Sequence, residues 1–402
     1  MRNVLRLGPP LDLKTWQGLR RVMELRHQKW DTHVGDGAAL SRAPLLLPRA
    51  AWLELAGLGE ALFEETLAVE DELLQRPDLY ESLALPRALQ RLFRRGAGVP
   101  AAARVMRFDF HWTTEGWRVS EVNSDVPGGY TEATHWGRLM ATQVAGSSLP
   151  GDPSSAVAHS LTSAAQGELV ALLCAPGFME DQQVVAHLAA SLQERGQAAA
   201  LISLEQLGWL GARARVLSGS LAGRKVGAVF RFYQAEWLAG RSEAQLWQPL
   251  FVGGLTPVAN PGAAALSESK RLPLVWDRLR ARLPTWRRLL PETRALRAAP
   301  WASDDGWLIK SAYCNTGDTV SIRSAMTRAA WRRRSWVARL RPGHWVAQRR
   351  FDVVPLVGPT GDVFPCVGVY VVNGRAAGAY ARVTTGPLID FAARDTALLI
   401  YD

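Results

Sequence analysis

The residues best suited to chemistry lie in the segment 107–129, RFDFHWTTEGWRVSEVNSDVPGG, where two alternating runs flank a turn. In the first run Arg107 and Asp109 share one face, because successive side chains of a strand point to opposite faces. The second run places Glu121 and Asn123 together on one face in the same way. This pattern predicts a β-hairpin with one polar face.

The turn between the two runs decides which of these side chains face each other. We expect a three-residue loop at 114–116 whose glycine takes the left-handed conformation that such loops favour. This loop pairs Thr113 with Trp117 and brings Asp109 opposite Glu121, with Cβ atoms roughly 5 Å apart. Two carboxylates at that distance repel each other unless a cation lies between them.

Asp109, Glu121 and Asn123 together present two carboxylates and an amide oxygen. An all-oxygen set of this kind suits Mg²⁺ that is shared with substrate phosphates. On these residues alone, the alternative interpretation is a hairpin whose polar face is simply solvated.

The basic residues are unusual in kind. The chain has 47 lysines and arginines and a formal net charge of +10, yet only five of the basic residues are lysine. Where arginine fills nearly every basic position, a lysine indicates a need for a compact point charge, as in phosphate contact. Lys270 and Lys310 are the candidates, and Lys310 precedes a small-residue loop that contains Gly317. The alternative is that these lysines carry no function.

Other catalytic and binding signatures are missing or open to two interpretations. The sequence has no P-loop, kinase or dinucleotide-binding glycine motif, and its seven histidines lack the spacing of a zinc site. The basic run at 332–334 lies between Trp331 and Trp336. It is either a nucleic-acid surface or, as we favour, a solvated helix face whose tryptophans turn inward.

The cysteines and the apolar runs bear on location. Cys174, Cys314 and Cys366 are far apart and odd in number, which fits a reducing compartment without a disulfide framework. No apolar run reaches ~18 residues, and the first residues lack the apolar segment of a signal peptide. We therefore expect a cytoplasmic protein without a membrane partner.

The order of elements predicts an α/β (α+β) fold in three segments. Residues 1–150 begin with helices and end with the hairpin and its following helix. Residues 166–262 alternate strands with helices, which predicts a small parallel sheet. Residues 263–402 hold strands, an arginine-rich helix and a hairpin that turns at Asn373 and Gly374.

With these motifs in view, the chain resembles the synthetase part of glutathionylspermidine synthase and its relatives, which have an ATP-grasp fold in circularly permuted order. The family shows an R-x-D run and then E-x-N-x-D-x-P, for which this chain has Arg107, Asp109, Glu121, Asn123, Asp125 and Pro127. The spacing between the two parts is also the family's. Further matches are Glu180-Asp181, FRFYQAEWL at 230–238, a run ending in Lys270, and the strand ending in Lys310.

The resemblance implies roles for particular residues. Mg²⁺ would be bound by Asp109, Glu121 and Asn123. ATP would be contacted by Lys270, Lys310 and Gly317 at its phosphates and by the strand around Gln348 at its adenine. Arg107 and Arg382 would stabilise charge on the transferred phosphoryl group and on the acyl intermediate. One departure is the loop after Lys310, which reads CNTG where the family has a Gly-Arg-Glu-Gly type of sequence.

The fold that the resemblance implies divides the chain in the same way. A helical region and the metal-ligand segment would occupy 1–150, a pre-ATP-grasp α/β domain 166–262, and a nucleotide-binding ATP-grasp segment 263–402. The implied function is an ADP-forming ligase that joins a small-molecule or peptide carboxylate to an amine through an acyl phosphate. The alternatives are an ATP-grasp phosphotransferase, a degenerate scaffold, or a non-enzymatic arginine-rich nucleic-acid-binding protein, although a nucleic-acid partner is not expected.

Overall fold

The computed structural model describes residues 3–35, 37–96, 98–313, 320–359, 361–386, 388–389 and 392–402. These residues form a mixed α/β structure, as the sequence predicts, with a large antiparallel sheet and a small parallel sheet. In these ranges no helix is both long enough and apolar enough to cross a membrane.

Most helices lie where apolar residues recur at helical spacing. In chain order the α-helices are α1 (Leu13–Arg26), α2 (Arg49–Leu74), α3 (Arg87–Phe93), α4 (Gly137–Ala141), α5 (Pro153–Ala165), α6 (Met179–Gln193), α7 (Ala235–Leu238), α8 (Ala244–Trp247), α9 (Ala264–Glu268), α10 (Pro284–Leu289) and α11 (Arg328–Leu340). The helices expected at the beginning of 1–150 include α1, α2 and α3, and the arginine-rich helix expected within 263–402 is α11. After Asn260 the chain forms two short helical pieces, since α9 ends at Glu268 and a 3-10 segment follows at Leu272–Arg278.

The strands are mostly short. In chain order they are β1 (Arg6–Leu7), β2 (His33–Val34), β3 (Gly37–Ala38), β4 (Leu45–Pro48), β5 (Val105–Thr113), β6 (Gly116–Asn123), β7 (Ser147–Ser148), β8 (Leu169–Cys174), β9 (Ala199–Leu201), β10 (Leu207–Leu210), β11 (Arg213–Val216), β12 (Val226–Phe232), β13 (Val258–Ala259), β14 (Thr293–Ala295), β15 (Trp307–Ser311), β16 (Trp345–Arg349), β17 (Leu356–Gly358), β18 (Gly361–Val372), β19 (Arg375–Thr384), β20 (Arg394–Thr396) and β21 (Leu398–Tyr401).

These strands assemble into sheets of different kinds. The large antiparallel sheet has the order β20-β19-β18-β5-β6, with β17 beside β18. The sheet β13-β12-β8-β9 is parallel throughout, which confirms the prediction made from alternating strands and helices. A smaller antiparallel sheet has the order β14-β16-β15, and the sheet β1-β4-β21-β7 joins the two ends of the described chain.

Helix α2 covers the apolar face of the large sheet. The inward residues of β5 on that side, Met106, Phe108 and Phe110, are fully buried. Gly59 of α2 lies so close to the sheet that an added Cβ would be 3.3 Å from Val369 and from Val371. The apolar half of the alternating pattern therefore forms the core, and the polar half is left to face the other way.

The predicted facing of Asp109 and Glu121 is confirmed, and Arg107 pairs with Asn123 as expected. The loop that was expected to produce this register is wrong. Thr113 pairs with Gly116, so the turn has two residues, and its geometry is held by the Thr113 hydroxyl, which donates to the Gly116 carbonyl at 2.7 Å.

A β-bulge restores the register that the shorter turn would have shifted. The pairing slips between Asp109 and Phe110, which leaves Ser120 as the additional residue on β6. The Ser120 hydroxyl donates to the Asp109 carbonyl at 3.2 Å. Because a bulge puts two residues of one strand opposite one residue of its partner, it returns Glu121 to the face of Asp109.

The hairpin predicted at Asn373 and Gly374 is confirmed as the turn between β18 and β19. Both residues have positive φ values, 49° for Asn373 and 82° for Gly374. Asparagine and glycine are the residues that accept this conformation at the lowest cost. The two long strands that the turn connects bring Arg382 back towards β5.

A buried ion pair joins the large sheet to the parallel sheet. Asp125 follows β6, and both of its oxygens accept hydrogen bonds from Arg231 of β12. The backbone N–H of Ala235 also donates to Asp125, at 2.8 Å. Asp125 and Arg231 are 2% and 1% exposed, so the sequence motif around Glu121 contains a structural residue as well as candidate ligands.

We expect Asp125→Ala to lower the free energy of unfolding by about 3–5 kcal/mol, because it leaves a buried guanidinium without its carboxylate. Urea unfolding of the intact chain measures this change. Asp277→Ala is the matched control, since Asp277 is exposed in its pair with Arg287 and such pairs contribute little. Equal losses for the two variants would contradict the assignment.

Candidate active site

The polar face of the hairpin is buried, so its interpretation as a solvated face is wrong. Arg107 is 6% exposed and Asp109 is 2% exposed. Arg107 donates to both carboxylate oxygens of Asp109, with Nε–Oδ1 and Nη2–Oδ2 distances of 2.8 Å and 3.0 Å. The two residues share a face of β5, which gives this bidentate pair a rigid support.

The space for the Arg107 side chain comes from a glycine on the neighbouring strand. Gly368 of β18 pairs with Asp109, and an added Cβ there would lie 2.9 Å from Arg107 Cδ. The guanidinium lies 5.1 Å from the centre of the Tyr380 ring, and its Nη1 donates to the Gly128 carbonyl at 2.9 Å. Arg107 is therefore held by four different segments of the chain.

A second arginine and an amide complete the surroundings of Asp109. Arg382 of β19 has its Nη2 3.5 Å from Asp109 Oδ2, and Asn123 donates from Nδ2 to the same oxygen at 3.2 Å. Burial alone would raise the pKa of Asp109, but Arg107 and then Arg382 lower it below its ordinary value. Asp109 is therefore ionised at neutral pH despite its burial.

Glu121, which faces Asp109, has a cation of its own. Lys270 Nζ lies 3.4 Å from Glu121 Oε2 and 2.9 Å from Glu268 Oε1. Each of the two facing carboxylates thus has its own cation, Arg107 beside Asp109 and Lys270 beside Glu121. These cations reduce the repulsion between the two carboxylates.

The lysines divide into two groups by burial. Lys29, Lys270 and Lys310 are 1%, 7% and 4% exposed, whereas Lys14 and Lys225 are exposed. Lys310 of β15 donates from Nζ to the Ser120 carbonyl at 3.0 Å, next to the bulge. Full burial of a lysine is rare without a specific partner, so three of the five lysines occupy unusual positions, whereas scarcity alone does not distinguish them from Lys14 and Lys225.

Two cavities meet at the Asp109–Glu121 pair. The first, which we call the apolar chamber, is lined by Asp109, Lys310, Ile322, Gln348, Phe351 and Phe364, among others, and has a volume of about 1110 Å³ counting space open to solvent. It lies between the large sheet and the β14-β16-β15 sheet. Glu121 and Arg382 line this chamber and also the second cavity.

The second cavity, which we call the acidic chamber, has a volume of about 1000 Å³ on the same basis. Its carboxylates come from segments far apart in sequence: Asp31, Glu121, Glu132, Glu180, Asp181 and Asp395. Its cations are Lys29, Arg107 and Arg382. Acidic groups therefore outnumber basic groups on its walls, which favours a cationic ligand.

Lys29 forms ion pairs with three carboxylates on one wall of the acidic chamber. Its Nζ lies 2.5 Å from Glu132, 2.9 Å from Asp31 and 3.2 Å from Asp395. Burial lowers the pKa of Lys29, but these three carboxylates together raise it well above its ordinary value. Burial raises the pKa of Asp395 to about 6, while Lys29 opposes this shift.

The opposite wall contains polar atoms without a partner in the described part of the chain. The clearest case is Gln234 Oε1, a buried acceptor, while the neighbouring carboxylate of Asp181 has a side-chain hydrogen bond with Gln234 that lowers its pKa against the effect of burial. Burial raises the pKa of Asp181 to about 6. A buried acceptor without a donor is costly, so this wall is suited to a ligand that brings N–H groups.

The sequence prediction missed much of the acidic chamber. Lys29 carried the same signal as Lys270 and Lys310, namely its scarcity, but lies in a region that reads as plain helix and turn. Asp31, Glu132 and Asp395 carried no signal of spacing, since folding alone brings them together.

Comparison with known proteins agrees with this architecture. The family described as glutathionylspermidine synthase pre-ATP-grasp matches residues 48–400. The chain belongs to this family. Its fold is the ATP-grasp fold in permuted order with a pre-ATP-grasp domain, and membership of the glutathionylspermidine synthase family supports a ligase-type function.

Two solved structures are similar to this family member. One is the apo form of a glutathione synthetase-like effector from Globodera pallida, with 14% identity, 96% coverage of both chains and a TM-score of 0.64. The other is a protein described as a putative gamma-glutamylcysteine synthetase from Methylobacillus flagellatus, with 12% identity, 80% coverage of this chain, 84% of the other and a TM-score of 0.43. No curated protein matches the chain.

The three residues expected to bind Mg²⁺ lie together on the hairpin. In the described ranges, no group of three or more His, Cys, Asp or Glu residues is arranged to hold a metal ion. The predicted set has two carboxylates and an amide, and the structure brings Asp109, Glu121 and Asn123 together. This donor set fits Mg²⁺ in chemistry, and Glu121 faces both chambers.

The other residues that were expected to contact ATP, apart from Gly317, lie close to the Asp109–Glu121 pair. Gln348 lines the apolar chamber and donates from Nε2 to the Thr293 hydroxyl at 2.9 Å. Lys270 lines a small adjoining cavity together with Lys310 and Gln348. Gly317 and most of its loop lie outside the described residues.

We expect Lys310→Arg to lower kcat/KM for ATP on the order of 100-fold, close to the effect of Lys310→Ala, because a planar guanidinium fork does not place its charge where the compact ammonium lies beside the Ser120 carbonyl. Steady-state ATP turnover measures it. Lys225→Arg makes the same exchange at an exposed position and should leave turnover unchanged. Equal tolerance at both positions would show that the buried lysine has no special role.

Proposed function

We propose that the chain is an ATP-dependent carboxylate–amine ligase that releases ADP and phosphate. The observation that carries the proposal is the junction of Asp109, Glu121 and Arg382 between two chambers of opposite character. An enzyme that first phosphorylates a carboxylate and then transfers its acyl group needs a nucleotide on one side of such a junction and an amine on the other.

The apolar chamber suits a nucleotide. Its walls include Ile322, Phe351 and Phe364, against which a purine ring would pack, and Gln348 lies on the adjoining strand. Lys310 and Arg382 supply positive charge near the junction, where the phosphates would lie. Apolar walls with a few convergent polar groups are typical of cofactor and nucleotide sites.

Asp109, Glu121 and Asn123 would hold Mg²⁺ at the junction. Bound there, the ion supplies neutralisation of the negative charge on the phosphates. The cations of the chain act beside it. Arg107 and Arg382 lie on the side of the acidic chamber, where they would stabilise the carboxylate of the first substrate and the charge of its acyl phosphate.

The acidic chamber suits a cationic amine. Asp181, Gln234 and Asp395 line it, and the buried Oε1 of Gln234 together with the carboxylates of Asp181 and Asp395 would accept N–H donors of the amine. The amine bound in this chamber would lie next to the acyl phosphate and could attack it before water does. ATP and Mg²⁺ are supplied in the cytoplasm, which is the location expected from the scattered cysteines.

We expect Glu121→Gln to abolish Mg²⁺-dependent ATP turnover while the melting temperature stays close to that of the wild type, since the buried Lys270 keeps its shorter ion pair with Glu268. ADP release and thermal unfolding measure the two effects. Glu115→Gln, at the exposed turn of the same hairpin, is the matched control and should retain activity. Wild-type turnover by Glu121→Gln would remove the metal assignment.

The reaction type is tested with the correct acid in the absence of an amine. ADP release should then be slow, and hydroxylamine should trap a hydroxamate, because the acyl phosphate is a carbonyl electrophile. Adding the amine should raise turnover and yield one amide per ADP. A stable phosphorylated alcohol or amine, without hydroxamate and without need of a second substrate, would show a phosphotransferase on the same fold.

A further inference from the structure

The outer face of α11 is unlike the solvated surface that the sequence predicts. Trp331 packs against Trp301 at a ring-centre distance of 5.8 Å, as expected of an inward tryptophan. Trp336 is 64% exposed, so the prediction that both tryptophans turn inward is wrong. The buried side of the helix uses the small residues Ser335 and Ala338 instead, which lets the helix lie close to its sheet.

Large apolar residues continue along this outer face. Leu340 is 60% exposed and Val337 is 39% exposed. Residues three and four positions apart lie on one side of a helix, so Trp336, Val337 and Leu340 form a continuous ridge. Exposed apolar residues scattered singly are ordinary, but a contiguous ridge indicates an interaction site.

Arginines frame the ridge at both ends. Arg332 and Arg333 lie one turn before it, Arg341 follows it, and all three are exposed. We call the six residues Arg332, Arg333, Trp336, Val337, Leu340 and Arg341 the arginine–tryptophan face.

The charge of this region is of one sign. From 319 to 351 the sequence has nine arginines and neither Asp nor Glu. The carboxylates of Asp304 and Asp305 are engaged with Arg349 and Arg323, which lie outside α11. The arginine–tryptophan face therefore presents positive charge that attracts an anionic partner.

We propose that the arginine–tryptophan face binds the surface of an anionic phospholipid membrane, with α11 parallel to the membrane plane. An interfacial helix of this kind buries an apolar ridge at the level of the lipid headgroups and keeps its cations beside the phosphates. Tryptophan is favoured at that level, and arginine stems extend along the apolar surface while their charge stays in water. The cytoplasmic leaflet carries the negative charge that this face requires.

A nucleic acid explains less of the face. Arginines alone would serve phosphate contacts, whereas proteins that bind single strands use a groove with several stacking rings. Here a single exposed ring lies on a convex helix, beside Val337 and Leu340, which have no part in stacking.

Binding through this face leaves the two chambers accessible. On β15, Trp307 and Ile309 face the core under α11, whereas Leu308 and Lys310 face the apolar chamber. The membrane and the nucleotide would thus contact opposite sides of the β14-β16-β15 sheet. Substitutions in the face should leave ATP turnover in solution unchanged, which separates this proposal from the proposed function.

The test is sedimentation of the intact protein with vesicles. We expect binding to vesicles of equal parts phosphatidylcholine and phosphatidylglycerol and none to phosphatidylcholine alone. Trp336→Ser with Leu340→Ser should reduce binding by about tenfold or more, and Arg332→Gln with Arg333→Gln should weaken binding and its dependence on salt. Melting temperatures confirm folding, and Leu340→Ser alone repeats the test with a smaller change.

The matched controls lie on α1, where Leu25 is 83% exposed and Arg21 is exposed. Leu25→Ser and Arg21→Gln should bind vesicles as the wild type does. The proposal fails if the Trp336/Leu340 double variant binds anionic vesicles like the wild type, or if neutral vesicles bind equally well. It also fails if single- or double-stranded oligonucleotides bind through Arg332 and Arg333 while vesicles do not.

Discussion

The clamp of Arg107 on Asp109 is the interaction on which the rest of the site depends. It places an ionised carboxylate in the middle of a sheet, with 2% of the residue exposed, where an unpaired charge would be strongly unfavourable. The clamp in turn needs the glycine at 368, whose missing side chain leaves room for the guanidinium. The opposing Glu121 relies on Lys270 in the same manner. Two independent ion pairs thus allow two carboxylates to face each other across one hairpin.

The junction of Asp109, Glu121 and Arg382 separates two cavities that differ in polarity. On one side, rings and aliphatic side chains line a cavity under a small sheet; on the other, carboxylates from distant segments line a cavity against the parallel sheet. Glu121 and Arg382 belong to both walls. A site of this construction can hold two reactants of opposite character within reach of one another, which is the geometric requirement of a two-step transfer. The ion pair between Asp125 and Arg231 fixes the orientation of the two sheets on which that geometry depends.

How much the sequence could predict differs from feature to feature. The pairing of Asp109 with Glu121 was predicted from alternation together with a three-residue turn, and the pairing is confirmed although that turn is wrong. Alternation with a buried apolar face restricts the register, because a slip of one residue would turn every side chain to the other face. Alternation did not predict how the hairpin reaches that register, since the two-residue turn depends on the hydroxyl of Thr113 and the bulge on the hydroxyl of Ser120.

The scarcity of lysine marked Lys270 and Lys310 as special, and both are buried. Lys29 is equally scarce in type, but its partners are Asp31, Glu132 and Asp395. No local sequence pattern shows that residues so far apart in the chain meet. Trp336 shows the limit of periodicity, which finds a helix but does not decide which face packs. The division of the chain at 150 and 263 remains a prediction.

The position of Lys29 has a consequence for how the chain folds. Lys29 and Asp395 are 366 residues apart in sequence, and the neighbouring sheet pairs β4 with β21 across almost the same separation. Contacts of such long range close the largest loops in the chain and form slowly. During synthesis, the helices and the hairpin emerge first and have local partners available. The pairing of Lys29 with Asp395 becomes possible only after residue 395 has been synthesised and has left the ribosome. Both chambers depend on residues from this part of the chain, since Ile389 lines the apolar chamber and Asp395 the acidic one. A nascent chain that has already folded its first helices and its hairpin therefore still lacks walls of both chambers.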